Sequence, residues 1–155
     1  MRSSGILLPV FSLDGDYGIG TLGKNAYDFI DFLSETGQKY WQILPLNPTS
    51  YGNSPYQSPS VFAGNPYFID PDMLVSDGLL SEKDVAPHQR ENTGRVDYGE
   101  LFENRMSLLK KAAESIDSKG SEYLAFIKEN AFWLGDYGAF MTMKEKNNML
   151  PHHMW

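Results

Sequence analysis

The stretch GILLPVFSLDGDYGIGTLGKNAYDFIDFLSETGQKYWQILPL, Gly5–Leu46, changes its hydrophobic period twice. GILLPVFSL, Gly5–Leu13, is a short apolar run bounded by glycine, the pattern of a strand buried on both faces. DGDYGIGT is a polar, glycine-rich turn. From Thr21 the apolar residues Leu22, Ala26, Phe29, Ile30 and Leu33 fall on one stripe of a helix, with Thr21 placed to cap its start and Gly37 its end. YWQILPL, Tyr40–Leu46, is a second apolar run of strand length. Strand, helix and strand in so short a span make a βαβ unit with parallel strands and a right-handed crossover, so the fold class is α/β.

The segment that follows, YGNSPYQSPSVFAGNPYFID (Tyr51–Asp70), is too long for an ordinary connection and too aromatic for a disordered linker. It offers rings at Tyr51, Tyr56, Phe62, Tyr67 and Phe68, and neutral hydrogen-bonding groups at Asn53, Ser54, Gln57, Ser58, Ser60 and Asn65. No Lys, Arg or Glu occurs between Lys39 and Glu82. Rings suit the C–H faces of a polyhydroxylated ligand, and amides and hydroxyls suit its rim. A carbohydrate fits this mixture; a phosphorylated or strongly charged ligand does not. Phe62 and Phe68 read as core rather than as site residues.

Farther on, Pro71–Val85 reads as short helical turns with Ser81 and Asp84 as a capping box. Ala86–Gly94 is polar and unpatterned, and Tyr98–Ile116 has helical spacing. Ser121–Lys146 is also helical, with a break invited by Gly135 and Gly138. The chain runs into LPHHMW with no cap and no polar tail, and two parallel strands cannot complete a covered sheet. The expectation is the front part of something longer.

Composition narrows the function classes. The 155 residues carry a net charge of −7, which disfavours a nucleic-acid partner because phosphate contacts need a basic face. There is no cysteine, hence neither disulfide framework nor thiolate metal site. No signal peptide or membrane-spanning stretch is recognisable, so a cytoplasmic location without membrane association is expected.

Four other chemistries fit the sequence less well. Gly18-Ile19-Gly20-Thr21-Leu22-Gly23 matches G-x-G-x-x-G, but two aspartates precede it and the second strand ends in Leu46-Asn47 without a carboxylate; a tight βα turn is the better reading. His88 stands alone, His152 and His153 are adjacent, and no metal set or cofactor is expected. The serines of NSPYQSPS read as turn and cap hydroxyls. Asp14 and Asp16 flank a glycine after the first strand, and turn formation is favoured over a catalytic carboxylate pair.

The strings LLPVFSLDGDYGIGTLG, YWQILPLNPTSYGNSPYQSPSVFAGNPYFI, RVDYGELF and FWLGDYGAFMTMK, in this order and spacing, resemble the amylomaltase family, the 4-alpha-glucanotransferases of glycoside hydrolase family 77. The resemblance implies the N-terminal part of a (β/α)8 TIM barrel of the alpha-amylase type with a mainly helical insertion. On that reading residues 1–70 form the first barrel βαβ unit and a glucan-binding loop, and residues 71–155 the insertion. It implies that Tyr51 and Tyr56 stack on glucose rings of maltooligosaccharides or other alpha-1,4-glucans, and that Ser54 contacts sugar hydroxyls. Gln57 and Asn65 join them as substrate-binding candidates in the same loop. Phe102 would touch glucan at a second site. The family's retaining reaction uses an aspartate nucleophile, a glutamate acid/base and a second aspartate. All three would lie beyond Trp155, so no catalytic residue is expected here. The alternative is a non-catalytic carbohydrate-binding or interaction module.

Overall fold

The computed structural model describes residues 2–155. Their elements run β1 (Gly5–Leu7), α1 (Lys24–Glu35), β2 (Tyr40–Gln42), α2 (Pro71–Ser76), α3 (Glu82–Val85), α4 (Tyr98–Glu114), α5 (Ser121–Glu129) and α6 (Leu134–Lys146). β1 and β2 pair in parallel with Ile6 opposite Trp41, which makes the expected βαβ unit. The chain is therefore mostly helical around a small parallel sheet.

Both strands are shorter than their apolar runs. Pro9 has no amide hydrogen to give a ladder, and a 3₁₀ turn follows at Val10–Ser12. The strands are not buried on both faces either: Leu7 and Tyr40 are 56% and 65% exposed. One face is covered by α1. Phe29 meets Trp41 edge-on at 5.0 Å, and the Trp41 indole donates to the Leu8 carbonyl at 2.7 Å.

The start of α1 differs from the expectation. Its N-cap is Gly23, and the Thr21 hydroxyl instead donates to the Asp70 carboxylate. Only Ala26 and Leu33 of the stripe are buried, while Leu22 and Ile30 face outward. Gly37 closes the helix as expected, at φ +73°, a conformation glycine adopts without the Cβ penalty.

Two compact units are present. The first comprises residues 2–59 and 64–116; the second comprises 60–63 and 117–155. The first unit is built on two clusters. Val10, Leu13, Ile19, Ala26, Phe68 and Leu101 form one, and Tyr17, Leu80, Val85, Leu108 and Ala112 the other. Each large apolar side chain removed from water contributes about 1.5–3 kcal/mol. The buried face of α4 is Leu101, Arg105, Leu108 and Ala112, so a charged residue occupies one turn of a core stripe. The capping box of α3 is formed, with Ser81 and Asp84 exchanging bonds.

In the second unit, Phe62 packs edge-on against Phe132 at 5.1 Å and stacks with Trp133 at 6.0 Å. Phe62 is 57% exposed, so it is not the core residue expected, whereas Phe68 is buried. The break between α5 and α6 comes before Gly135. At Asn130 the side chain turns back to the Phe126 carbonyl and accepts from the Trp133 indole at 2.9 Å, which ends α5 locally. Among the described residues, no helix is long and apolar enough to cross a membrane.

Candidate functional site

The loop after β2 leaves the core at Leu46 and returns at Asn65, whose amide donates to the Leu46 carbonyl at 2.8 Å. Between them, residues 50–57 close on themselves: the Ser50 amide donates to the Gln57 carbonyl at 3.2 Å. Two consecutive turns fill this closure. In the first, Asn53 donates to the Ser50 carbonyl at 2.9 Å, with Gly52 third in the turn at φ +92°, as a type II turn requires. In the second, Gln57 donates to the Ser54 carbonyl at 3.1 Å, with Pro55 at the position where its fixed φ is favoured. The Ser54 hydroxyl oxygen also accepts from the Tyr56 amide at 3.3 Å.

This local chemistry decides where the rings go. Tyr51 and Tyr56 occupy central positions of the two turns. They are 97% and 75% exposed. Gln57 is exposed beside them and Ser54 half-buried between them. The sequence candidates Tyr51, Ser54, Tyr56 and Gln57 are thus brought together on eight residues that carry no charged side chain.

Asn65 and Phe102 lie apart from that group. Asn65 is buried, and its side-chain oxygen accepts from the Tyr67 amide at 3.0 Å, capping the 3₁₀ turn Pro66–Phe68. It holds the exit of the loop. Phe102 is half-exposed on α4. Tyr67 is half-buried 6.3 Å from Tyr98, and burial raises both phenols above their usual pKa. Ser54 and Ser60 both accept backbone amides, as turn hydroxyls do; Ser60 does so from Phe62 and Ala63, each at 3.1 Å.

The glycine motif at α1 serves packing. A Cβ at Gly20 would lie 2.0 Å from the Val10 carbonyl oxygen, and one at Gly23 would lie 1.9 Å from the Asp70 carboxylate. That carboxylate, placed at the N-terminal end of α1, is the wrong charge for a phosphate neighbour. The Asp14 and Asp16 pair is structural too. The Asp14 carboxylate accepts from the Gly15 amide at 3.0 Å and from the Asn92 side chain, and the Asp16 carbonyl accepts the Arg90 amide at 2.6 Å.

Sequence reasoning missed a polar network beneath this loop. Arg105, 2% exposed, donates to the Tyr17 carbonyl at 2.9 Å and the Ile69 carbonyl at 3.1 Å. Burial lowers its pKa, with the Asp70 charge opposing that shift. The Tyr17 hydroxyl donates to the Asp72 carboxylate, and burial together with that acceptor pushes the Tyr17 phenol up. Asp70 caps α2 through the Asp72 and Met73 amides at 2.9 and 3.1 Å. The signal available was the charge at position 105 on an otherwise apolar stripe. The network ties the loop after β1 to the end of the loop after β2. Because the strands are parallel, both loops leave the same, C-terminal end of the sheet.

Comparison with known proteins agrees with this architecture. The family model described as 4-alpha-glucanotransferase, glycoside hydrolase family 77, matches residues 8–155. The chain is 49% identical over 148 residues to a 4-alpha-glucanotransferase of Clostridium butyricum, covering 94% of this chain and 30% of that protein. It is 45% identical over 159 residues to one from Thermus thermophilus, covering 99% of this chain and 31% of that protein. Among solved structures, an amylomaltase from Streptococcus agalactiae in complex with acarbose superposes with a TM-score of 0.86 at 44% identity, covering 94% of this chain and 30% of that one. The chain thus spans about 30% of the length of the relatives it matches. With the match running through nearly every described residue, the chain belongs to the 4-alpha-glucanotransferase family, glycoside hydrolase family 77.

Proposed function

We propose that this chain supplies sugar contacts to a 4-alpha-glucanotransferase, an enzyme that transfers alpha-1,4-glucan segments to an acceptor glucan or glucose by a retaining double displacement. The observation that carries the reading is the pair of turns at Ser50–Gln57, which hold Tyr51 and Tyr56 in solvent with Ser54 between them and Gln57 beside them. Rings with neutral polar groups at their rim match a maltooligosaccharide. The similarity to an amylomaltase in complex with acarbose supports the same ligand class. Phe102 supplies a further ring for a longer glucan.

In this reading β1, α1 and β2 are the first unit of a (β/α)8 barrel, with the loops after β1 and β2 on its active-site face. Residues 71–155 are a mostly helical insertion. The aspartate nucleophile and glutamate acid/base belong to later strands, beyond residue 155. The protein works in the cytoplasm on maltodextrins.

The test is product analysis after incubation with maltotriose. The 155-residue chain is expected to bind maltotriose and to give no glucose or longer maltooligosaccharides above blank. A protein extended over the full family length is expected to give both. A product ladder from the 155-residue chain would contradict the placement of the catalytic carboxylates, and an inactive full-length protein would contradict the assigned reaction.

A further inference from the structure

Asn53 joins the two turns of the loop after β2. It is exposed and sits at φ +56°, in the left-handed region that only short polar side chains visit readily. Its main-chain amide donates to the Ser50 carbonyl, but its side chain has no hydrogen-bond partner among the described residues. The Ser54 main-chain nitrogen has none either, although the Ser54 hydroxyl is engaged by Tyr56. An unengaged side-chain amide therefore adjoins an unengaged main-chain nitrogen, at a residue held in an unfavourable conformation.

That combination does not recur at the other asparagines. Asn47 and Asn65 precede prolines, which have no amide hydrogen. The side-chain amides of Asn25, Asn92, Asn104, Asn130 and Asn147 all donate to oxygens. Asn148 shares the left-handed backbone, at φ +52°, but the Met149 nitrogen after it donates to the Lys144 carbonyl at 2.8 Å. Ser54, unlike methionine, is also small enough to leave its own nitrogen open.

We propose that Asn53–Ser54 is a modification site, where spontaneous deamidation through a succinimide places isoaspartate between the two turns. The Ser54 nitrogen attacks the Asn53 side-chain carbonyl carbon and gives its proton to solvent. The side-chain nitrogen takes up a proton and leaves as ammonia, and a five-membered ring remains. One water molecule then opens the ring. Opening at the side-chain carbonyl gives aspartate, and opening at the main-chain carbonyl gives isoaspartate. The sum is one water consumed and one ammonia released, with no oxidant or reductant.

The two products differ in what they do to the loop. Aspartate adds a charge and takes the left-handed conformation as asparagine does. Isoaspartate also lengthens the main chain by one carbon between residues 53 and 54. That carbon falls inside the closure from the Ser50 amide to the Gln57 carbonyl and puts it out of register, so the turns that present Tyr51 and Tyr56 open. The resulting loss of sugar binding rests on the function proposed above.

The experiment ages the intact protein at mildly alkaline pH and follows it by peptide mass spectrometry, with enzymatic methylation to identify isoaspartate. A gain of about one dalton is expected at Asn53 before any other asparagine, as a thermolabile amide gives. Amide exchange at Ser50 and Gln57 is expected to speed up about threefold or more in the isoaspartate form. In that form maltotriose binding is expected to weaken roughly tenfold. Asn53→Gly keeps the left-handed backbone without a side-chain amide, so no mass gain and no loss of its starting affinity on ageing are expected. Fresh Asn53→Asp should show the exchange of the fresh parent, which separates charge from chain lengthening. A gain at Asn53 no faster than at Asn148, a gain without isoaspartate, or isoaspartate with unchanged exchange would each overturn the site. A fresh parent protein that fails to bind maltotriose would count against the proposed function, while the mass and exchange measurements still decide the modification.

Discussion

Arg105 lies beneath Tyr17, its guanidinium carbon 5.6 Å from the ring centre and one of its N–H groups 2.9 Å from the Tyr17 carbonyl. A second N–H reaches the Ile69 carbonyl, so one side chain on α4 fastens both loops that leave the C-terminal end of the sheet. Truncating it leaves the buried Tyr17 carbonyl and the part-buried Ile69 carbonyl short of a donor. Each such loss costs about 1–3 kcal/mol, so Arg105→Ala is expected to lower stability by about 2–4 kcal/mol. Arg105→Lys should recover less than half, because an ammonium cannot span both carbonyls in the plane of a guanidinium fork. Urea midpoints of the three proteins check this, and a neutral Arg105→Ala would contradict it.

The two close-packed glycines separate by what they would strike. A Cβ at Gly20 meets a backbone carbonyl, whereas one at Gly23 meets the whole Asp70 side chain from its carboxylate back to its Cβ. Gly20→Ala is therefore expected to destabilise by about 1–3 kcal/mol, and Gly23→Ala by at least about 1 kcal/mol, because displacing Asp70 breaks its cap on the Asp72 and Met73 amides. Thermal unfolding of both variants is the measurement, and a neutral Gly20→Ala would refute the steric account.

His88 sets a pH dependence. Burial, then the charges of Arg105 and Arg90, holds its pKa below the ordinary 6.5. The unfolded chain therefore takes up the proton first as pH falls. The stability present above the unfolded value is lost as pH drops through it toward the folded one. His88→Gln should flatten the fall in stability between about pH 7 and pH 5 and leave stability at pH 8 little changed. Denaturant midpoints across that range are the measurement, and an unaltered slope would remove His88 from the account.

Asn65 and Gln57 carry opposite expectations although one loop contains both. Asn65 is buried and caps a turn, so Asn65→Ala should cost about 1 kcal/mol of stability, as cap losses do. Gln57 is exposed, so Gln57→Ala should change stability by less than about 0.5 kcal/mol and act on sugar binding instead. Paired melting and maltotriose titrations distinguish these outcomes.

The βαβ unit was readable because its two periods are local properties of Gly5–Leu46. The strand lengths were not, since an apolar run does not say where pairing stops; Pro9, which has no amide hydrogen, ends the first one. Tyr51 and Tyr56 were singled out by the aromatic, uncharged composition of their loop, whereas the turns at Gly52 and Pro55 that expose them emerged only with the fold. Asn65 misled because an amide looks the same in a sequence whether it faces a sugar or a backbone amide. Residues 88–97 have no period at all. They are placed by contacts to Asp14 and Asp16 more than seventy positions away, so their position was invisible before the fold was known.

The central claim is that the Tyr51–Gln57 turns hold an alpha-glucan, and Tyr56→Ala tests it most directly when maltotriose affinity and melting temperature are read together. A ring stacked on a sugar contributes on the order of 1–2 kcal/mol, by analogy with other aromatic contacts, and about 1.4 kcal/mol is tenfold in affinity. The account predicts roughly tenfold weaker binding, a melting temperature within about 2 °C of the parent, and near-complete recovery in Tyr56→Phe. Unchanged affinity together with a sharply lowered melting temperature would contradict it, because the ring would then belong to the core.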